Sequence, residues 1–191
     1  MSIAESPKLM TAEEFMALPD DGRERWLHDG QLHINEDSMT ARNWVHSEAL
    51  ITIGTYLRNW LVQQPRPRGK FVGGEAGCVL RRNPDILVGV DIAYISAALA
   101  AATPRTQAFY DGPPVLAVEI LSPSDTLGDI LSKTESYLAA GSVVWIVDPY
   151  SRIVTVHRPD HPPRPHSIGD ELAADPYLPG FRVAVADFFE D

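Results

Sequence analysis

Two near-continuous apolar segments, residues 115–121 and 143–147, constrain the fold of this chain more than any other feature. Apolar runs of this length are typical of strands that are buried on both faces of a sheet. Between them, residues 122–126 have the residue types that start a helix, and Gly141 is a helix-end signal, so we predict a helix to about Ala140. Helices alternating with strands in this way predict an α/β or α+β domain around one sheet.

The other elements follow from capping and periodicity. Thr11 and Glu14 have the spacing of a capping box, which predicts a short helix that ends at Pro19. Asp29-Gly30 is a hairpin-turn dipeptide, which predicts a β-hairpin over residues 25–34. We also predict a helix over 40–62, strands over 70–80 and 86–95, a short helix over 97–102 and a strand over 153–157.

Composition limits the domain number and the setting. The 191 residues, 45% of them apolar, predict a single domain over 1–191, since domains usually have about 100–200 residues. The one cysteine, Cys78, excludes an intrachain disulfide and favours a reducing, cytoplasmic setting. No segment approaches the ~18 apolar residues of a membrane helix, and we expect no signal peptide. A net charge of −10 argues against a protein dedicated to nucleic-acid binding.

Two acidic residues, Asp91 and Glu119, lie inside consecutive apolar strands. A buried, unpaired carboxylate is costly, so each needs a partner or a metal ion. Period-2 alternation places Gly89 and Ala93 on the same face as Asp91, where small residues leave room for a ligand. A strand end or an arginine partner would explain one such acid, whereas two in consecutive strands favour a shared site.

Lys133 is the third candidate, on the predicted helix that follows the Glu119 strand. It lies between Ile130 and Tyr137, from where its ammonium can reach the carboxyl end of that strand, although an ordinary solvated lysine is the alternative. Two carboxylates and a lysine are the groups that metal-dependent phosphodiester hydrolysis requires. The acids hold Mg²⁺, and the lysine orients or deprotonates a water molecule or stabilises charge on the phosphate.

A longer pattern surrounds these residues. Its landmarks are residues 118–126, Lys133, Tyr137, Ala140-Gly141, 145–149, 11–15, Asp29-Gly30, His46 and 178–181. Taken together they resemble the Uma-two family of endonucleases, a branch of the PD-(D/E)XK restriction-endonuclease-like superfamily, from about Lys8 to Phe189.

The resemblance implies a restriction-endonuclease-like fold, with a central mixed β-sheet flanked by helices and an N-terminal β-hairpin. It implies that Asp91 and Glu119 are the two metal-binding acids and that the carbonyl of Ile120 is a further ligand. The superfamily lysine, usually two residues after the second acid, corresponds here to Lys133. The cofactor implied is Mg²⁺, with Mn²⁺ able to substitute.

The chain departs from the family pattern at several positions, among them Val90, Trp26 and Gln31, which replaces a common glutamate. Val90 stands where proline usually precedes the first acid, and Pro84-Asp85 is a decoy that we reject because it falls in a predicted loop. Trp26 stands where the family hairpin often has a glutamate that can add an acid to the site. Two further residues stay open: His46, a core histidine or a cleft residue, and Glu75, a third acid or a turn residue.

These observations predict a Mg²⁺-dependent endonuclease that hydrolyses nucleic acid, most simply DNA, and that forms a homodimer. The alternative is a catalytically degenerate member that acts as a binding or assembly module. Between residues 58 and 82 there are six basic residues against one acid, a local net charge of +5, where a DNA backbone could bind weakly and in a salt-sensitive way. A solvated loop is the competing interpretation of that segment.

Overall fold

The chain folds as a mixed α/β protein in a computed structural model that describes residues 9–19, 22–35 and 43–189. The helices are α1 (Ala12–Met16), α2 (Trp44–Gln63), α3 (Ala97–Ala102) and α4 (Leu127–Ala139), with a 3₁₀ turn at Val185–Phe188. The strands are β1 (Glu24–His28), β2 (Gln31–Asn35), β3 (Lys70–Arg81), β4 (Ile86–Ile95), β5 (Leu116–Ile120), β6 (Val143–Asp148), β7 (Ile153–His157), β8 (Arg164–Ser167), β9 (Glu171–Ala173) and β10 (Arg182–Ala184).

Eight strands form one mixed sheet in the order β2-β1-β4-β5-β6-β7-β8, with β3 paired to β4. Strands β5 and β6 run parallel, and α4 is the crossover between them, as a parallel connection requires. The β1–β2 hairpin turns at Asp29 and Gly30, whose φ angles of 51° and 73° suit this dipeptide. The predicted central sheet and N-terminal hairpin are therefore confirmed.

Helices cover the two faces of the sheet. On one face, Ile53 and Leu57 of α2 pack with Val118 and Trp145 of the sheet. On the other face, Tyr137 of α4 packs with alternate residues of β5 and β6. The buried faces explain why β5 and β6 are apolar apart from Glu119 and Asp148.

Most predicted boundaries agree with the structure within two residues, but α2 begins later than residue 40. Asn43 is its N-cap, with an extended ψ of 140° and a side-chain oxygen that accepts the Val45 N–H at 2.9 Å. Residues 40–42 lie outside the described part of the chain. Strand β8 was not predicted because Pro165 argues against a strand, and it is tolerated there because β8 is the last strand of the sheet order.

None of the helices in the described residues is long and apolar enough to cross a membrane.

Candidate active site

Asp91 and Glu119 occupy facing positions at the end of the β4–β5 ladder. The last pair of that ladder is Ile92 with Val118, so the two acids come next in register. Asp91 is only 5% exposed, and its Oδ2 accepts the backbone N–H of Ile120 at 2.9 Å. The carboxylate of Asp91 thus continues the strand pairing and brings the two predicted acids together.

The side-chain alternation of β4 slips by one residue at Asp91. Val88 and Val90 pack in the same cluster as Ala93, and the odd spacing from 90 to 93 means that the phase of the strand changes between them. Strict period-2 alternation, on which the shared face of Gly89, Asp91 and Ala93 was predicted, therefore does not hold along the whole of β4. The facing strand has a β-bulge at the same place, where two residues of β3 lie opposite one residue of β4.

Glu75 enters the cleft through that bulge. Gly74 and Glu75 both have left-handed backbone conformations, with φ of 75° and 63°. The Glu75 side chain lies over Gly89, so that a Cβ added at Gly89 would collide with Glu75 Oε2. The room that Gly89 leaves is occupied by a third carboxylate, which lines the same cleft as Asp91 and Glu119.

Glu119 is held by Tyr137, a fully buried residue of α4 whose hydroxyl donates to Glu119 Oε1 at 2.5 Å. Removal from water is the largest cause that raises the pKa of Glu119, and the negative charges of Asp91 and Glu75 also raise it. The positive charge of Lys133 and the Tyr137 hydrogen bond lower it, and the balance is a pKa of about 8. The charge of Glu119 therefore depends on nearby cations.

Lys133 lies on α4 at the rim of the cleft, as its helical position predicted. Its Nζ is 5.1 Å from the ring centroid of Trp26, a cation–π distance. Trp26 is 5% exposed and is also stacked with His33, at 5.4 Å between ring centroids and 18° between planes. The side chain that replaces the family acid therefore contacts the proposed catalytic lysine.

His46 is both a buried residue and a neighbour of the site. It is 2% exposed, and its Nε2 lies 3.1 Å from Asp91 Oδ2. Its Nδ1 has no hydrogen-bond partner among the described residues, which favours the tautomer with the proton on Nε2 and a bond donated to Asp91. His46 is therefore a core histidine that also contacts a residue of the cleft, so each of the two interpretations left open by the sequence is partly correct.

The complete cleft has residues that the sequence did not single out. The sequence indicates Tyr137 only as a residue of the buried helix face. Its position four residues after Lys133 also places it one helical turn further along the same side of α4. Two further acids of the Ser-Pro-Ser-Asp-Thr segment and α4, Asp125 and Asp129, also face the opening. The cleft is lined by Trp26, Asn35, Glu75, Asp91, Glu119, Ile120, Leu121, Asp125, Asp129, Ile130, Lys133 and Ile146.

Comparison with known proteins identifies the family. Residues 12–186 match the Uma2 family, described as "Putative restriction endonuclease". The chain belongs to the Uma2 family. The fold agrees with a crystal structure of a protein from Anabaena variabilis, described as "a putative nuclease belonging to DUF820", at a TM-score of 0.78 and 17% identity over 94% of this chain and 97% of that chain. A search of curated proteins finds no match. Family and fold together support a nuclease acting on nucleic acid.

The oxygen donors of this Uma2 chain fit a small divalent cation. Within residues 9–19, 22–35 and 43–189, no group of three or more His, Cys, Asp and Glu side chains is arranged to hold a metal ion. Mg²⁺ is commonly held through one or two carboxylates and keeps several water ligands, and the cleft offers two strand carboxylates, Asp91 and Glu119. The pKa of Glu119 is raised first by burial and then by the negative charges of Asp91 and Glu75, and a bound cation would favour its ionised form.

The decoy Asp85 has a structural role. It is 6% exposed and accepts the N–H of Ala12 at 2.9 Å and that of Asn83 at 3.1 Å. Arg82 donates to the same carboxylate at 2.8 Å. Asp85 therefore links α1 to the β3–β4 turn. It does not line the cleft, which agrees with its rejection as a site residue in the sequence analysis.

The basic segment of residues 58–82 separates into two groups. Arg82 is paired with Glu13, Asp85 and Asp111, and Arg81 with Asp29. The charges of these two arginines are neutralised within the protein. Four basic residues of the segment remain, and no ion pair to them is found in the described residues. We call them the α2–β3 basic group: Arg58, Arg66, Arg68 and Lys70.

Proposed function

We propose that this protein is a metal-dependent endonuclease that hydrolyses phosphodiester bonds in nucleic acid, DNA in the first instance. The observation that carries the proposal is the convergence of Asp91 and Glu119, from two neighbouring strands, at one cleft with Lys133 on its rim. Buried acids in apolar strands are costly unless they bind something, and family membership makes a phosphodiester the fitting substrate.

Each side chain has a distinct role in the proposal. Asp91, Glu119 and the carbonyl of Ile120 hold Mg²⁺ or Mn²⁺, which when bound would polarise the phosphate and lower the pKa of a water molecule. The Ile120 N–H and His46 both bond to Asp91 Oδ2, so Oδ1 is the oxygen left for a ligand. Tyr137 fixes Oε1 of Glu119 in the same way.

Lys133 acts on the opposite side of the cleft. Its contact with the Trp26 ring restrains the ammonium without neutralising it, because an aromatic face attracts a cation and carries no net charge. As an ammonium, Lys133 can then orient the attacking water or stabilise the charge that grows on the phosphate, and as the neutral amine it can deprotonate that water.

A catalytically degenerate protein that only binds or assembles is the second candidate. The observation that favours it is Trp26, a ring where a carboxylate would add a further oxygen ligand. Titration of the protein with Mn²⁺ by calorimetry separates the two functions, because a degenerate site shows no binding that depends on Asp91 and Glu119.

The test is cleavage of supercoiled plasmid and of single-stranded oligonucleotide in Mg²⁺ or Mn²⁺. We expect Asp91→Asn and Glu119→Gln to abolish cleavage and to weaken Mn²⁺ binding. Glu135→Gln is the matched control, because Glu135 is an exposed acid on the same helix as Lys133 and should leave both properties unchanged. Full cleavage by both site variants would show that the assignment is wrong.

A further inference from the structure

We propose that Trp44 and Tyr150 form an aromatic platform that binds unpaired nucleobases, so that the substrate of the cleft is a strand with unstacked bases. This inference rests on the proposed nuclease function and specifies its substrate class. Trp44 is 72% exposed and Tyr150 is 53% exposed, unusual values for large aromatic side chains. Both line one cavity of about 270 Å³.

The platform is rigidly built. Asn43, the N-cap of α2, donates from Nδ2 to the Tyr150 hydroxyl at 2.8 Å, while its Oδ1 accepts the Val45 N–H. Asp148 Oδ1 accepts the N–H groups of Tyr150 at 2.9 Å and Ser151 at 3.1 Å, which fixes the turn that carries the ring. One aromatic residue thus begins α2, and the other is tied to the cap of the same helix.

The platform lies at the same edge of the sheet as the acids. Tyr150 follows the carboxyl end of β6, and Val147 of that strand pairs with Ile120, the neighbour of Glu119. Trp44 is two residues before His46, whose ring contacts Asp91. A strand that rests its bases on these rings therefore lies at the edge of the sheet where the acids are.

The charges around the cavity favour this occupant. Arg152 is exposed on its rim, and no ion pair to it is found in the described ranges, so it can meet a phosphate. Glu48 is exposed on the same rim and directs the phosphate toward Arg152 by repulsion. Stacking on aromatic rings needs no phosphate contact, which suits a chain whose net charge is −10.

The test compares the binding of a single-stranded oligonucleotide and its blunt duplex to the full chain, in EDTA so that no cleavage occurs. We expect tighter binding of the single strand, with quenching of tryptophan fluorescence. Trp44→Ala and Tyr150→Ala should each weaken single-strand binding by about 5- to 100-fold, the range of base–aromatic stacking. Trp44→Phe and Tyr150→Phe keep an aromatic face and should lose much less.

The control is Ile168→Ala, because Ile168 is a large apolar residue that is 51% exposed on another part of the protein. It should leave binding unchanged. In Mg²⁺, Trp44→Ala should raise the KM for the single strand with little change in kcat, since the platform does not touch the reacting bond.

Several outcomes would overturn the platform. Unchanged single-strand binding in both alanine variants would do so while plasmid cleavage left the nuclease function intact. Self-association that Trp44→Ala abolishes, seen by light scattering, would make the surface an interface between copies. Absence of any cleavage or binding by the wild type would refute the proposed function as well.

Discussion

Asp91 shows how one atom determines what a site residue can bind. Both of its hydrogen bonds end on Oδ2, one from the backbone of Ile120 and one from His46. Metal-binding carboxylates and histidines are commonly oriented by such outer contacts, whose loss typically costs about 10–100-fold in metal affinity. We therefore infer that His46 positions Asp91.

We expect His46→Leu to weaken Mn²⁺ binding by about 10–100-fold, measured by calorimetry. His46→Gln can still place an N–H near Asp91 and should recover part of that affinity. Chemical denaturation of both variants provides the control, because a role in packing alone would change stability and leave Mn²⁺ affinity alike in the two. Equal affinities in wild type, Leu and Gln variants would exclude a positioning role.

The pKa of Glu119, raised from 4.5 to about 8, predicts how stability depends on pH. The folded protein binds this proton more tightly than the unfolded chain. The contribution is therefore fully present below about pH 4.5 and is lost as the pH rises through about 8. Without metal, we expect the wild type to lose stability relative to Glu119→Gln over that interval, measured by urea unfolding.

Mg²⁺ should reverse this effect. A cation that binds the ionised form stabilises the folded protein more at about pH 8 than at about pH 5, because fewer protons must leave on binding. Parallel pH profiles for wild type and Glu119→Gln, with and without Mg²⁺, would contradict the raised pKa.

Among single residues, the two acids of the site could be predicted from the sequence, whereas the residues that contact the site could not. Apolar strands do not tolerate unpaired carboxylates, so Asp91 and Glu119 were recognised from their immediate neighbours. The contact of His46 with Asp91 spans 45 residues and depends on how α2 packs on the sheet. The contact between Trp26 and Lys133 likewise joins a hairpin to a helix, and no local pattern indicates it.

Among the elements, β3 has the largest effect on the site, because its bulge places Glu75 over Gly89. Bulges of this kind are known to redirect side chains next to active sites. Strand β3 contains three glycines, but neither its extra residue nor the slip of β4 can be read from alternation alone. Element boundaries were predictable because Thr11, Asp29-Gly30, Thr126 and Gly141 are local signals.

We expect Gly89→Ala to displace the Glu75 carboxylate from the cleft while preserving the fold, because the new methyl group meets the far end of a flexible side chain. The charge of Glu75 raises the pKa of Glu119, so that pKa should fall in the variant. NMR titration of the Glu119 carboxyl measures it.

Glu75→Gln should lower the same pKa in the same direction. In the double variant the two effects should not add, because both remove one charge from one place. Additive shifts would mean that Gly89 acts on the site by another route.

At the scale of the whole molecule, the net charge of −10 is distributed unevenly. Ion pairs neutralise Arg81 and Arg82, so the local charge of +5 predicted from residues 58–82 overstates the available basic surface. The sequence could not show this, because the partners Asp29 and Asp111 come from distant segments. The α2–β3 basic group is the part that remains for a phosphate backbone.

We expect the double variant Arg58→Gln/Lys70→Gln to weaken nucleic-acid binding and to reduce the slope of log affinity against log salt by about 0.7–0.9 for each lost contact. Arg81→Gln/Arg164→Gln removes the same charge from other places and should leave the slope nearly unchanged. Fluorescence anisotropy at several salt concentrations measures both. Identical slopes in the two double variants would show that total charge alone governs binding.

Because Cys78 is buried, its reaction with a thiol reagent can measure how often this part of the protein opens. This thiol is the chain's one cysteine, lies fully buried in β3, and has its pKa raised to about 12 by burial and by the charge of Glu119. At neutral pH it is almost entirely un-ionised and out of reach of alkylating reagents. Its labelling rate therefore reports how often the strand that carries Glu75 detaches from the sheet, with no engineered probe.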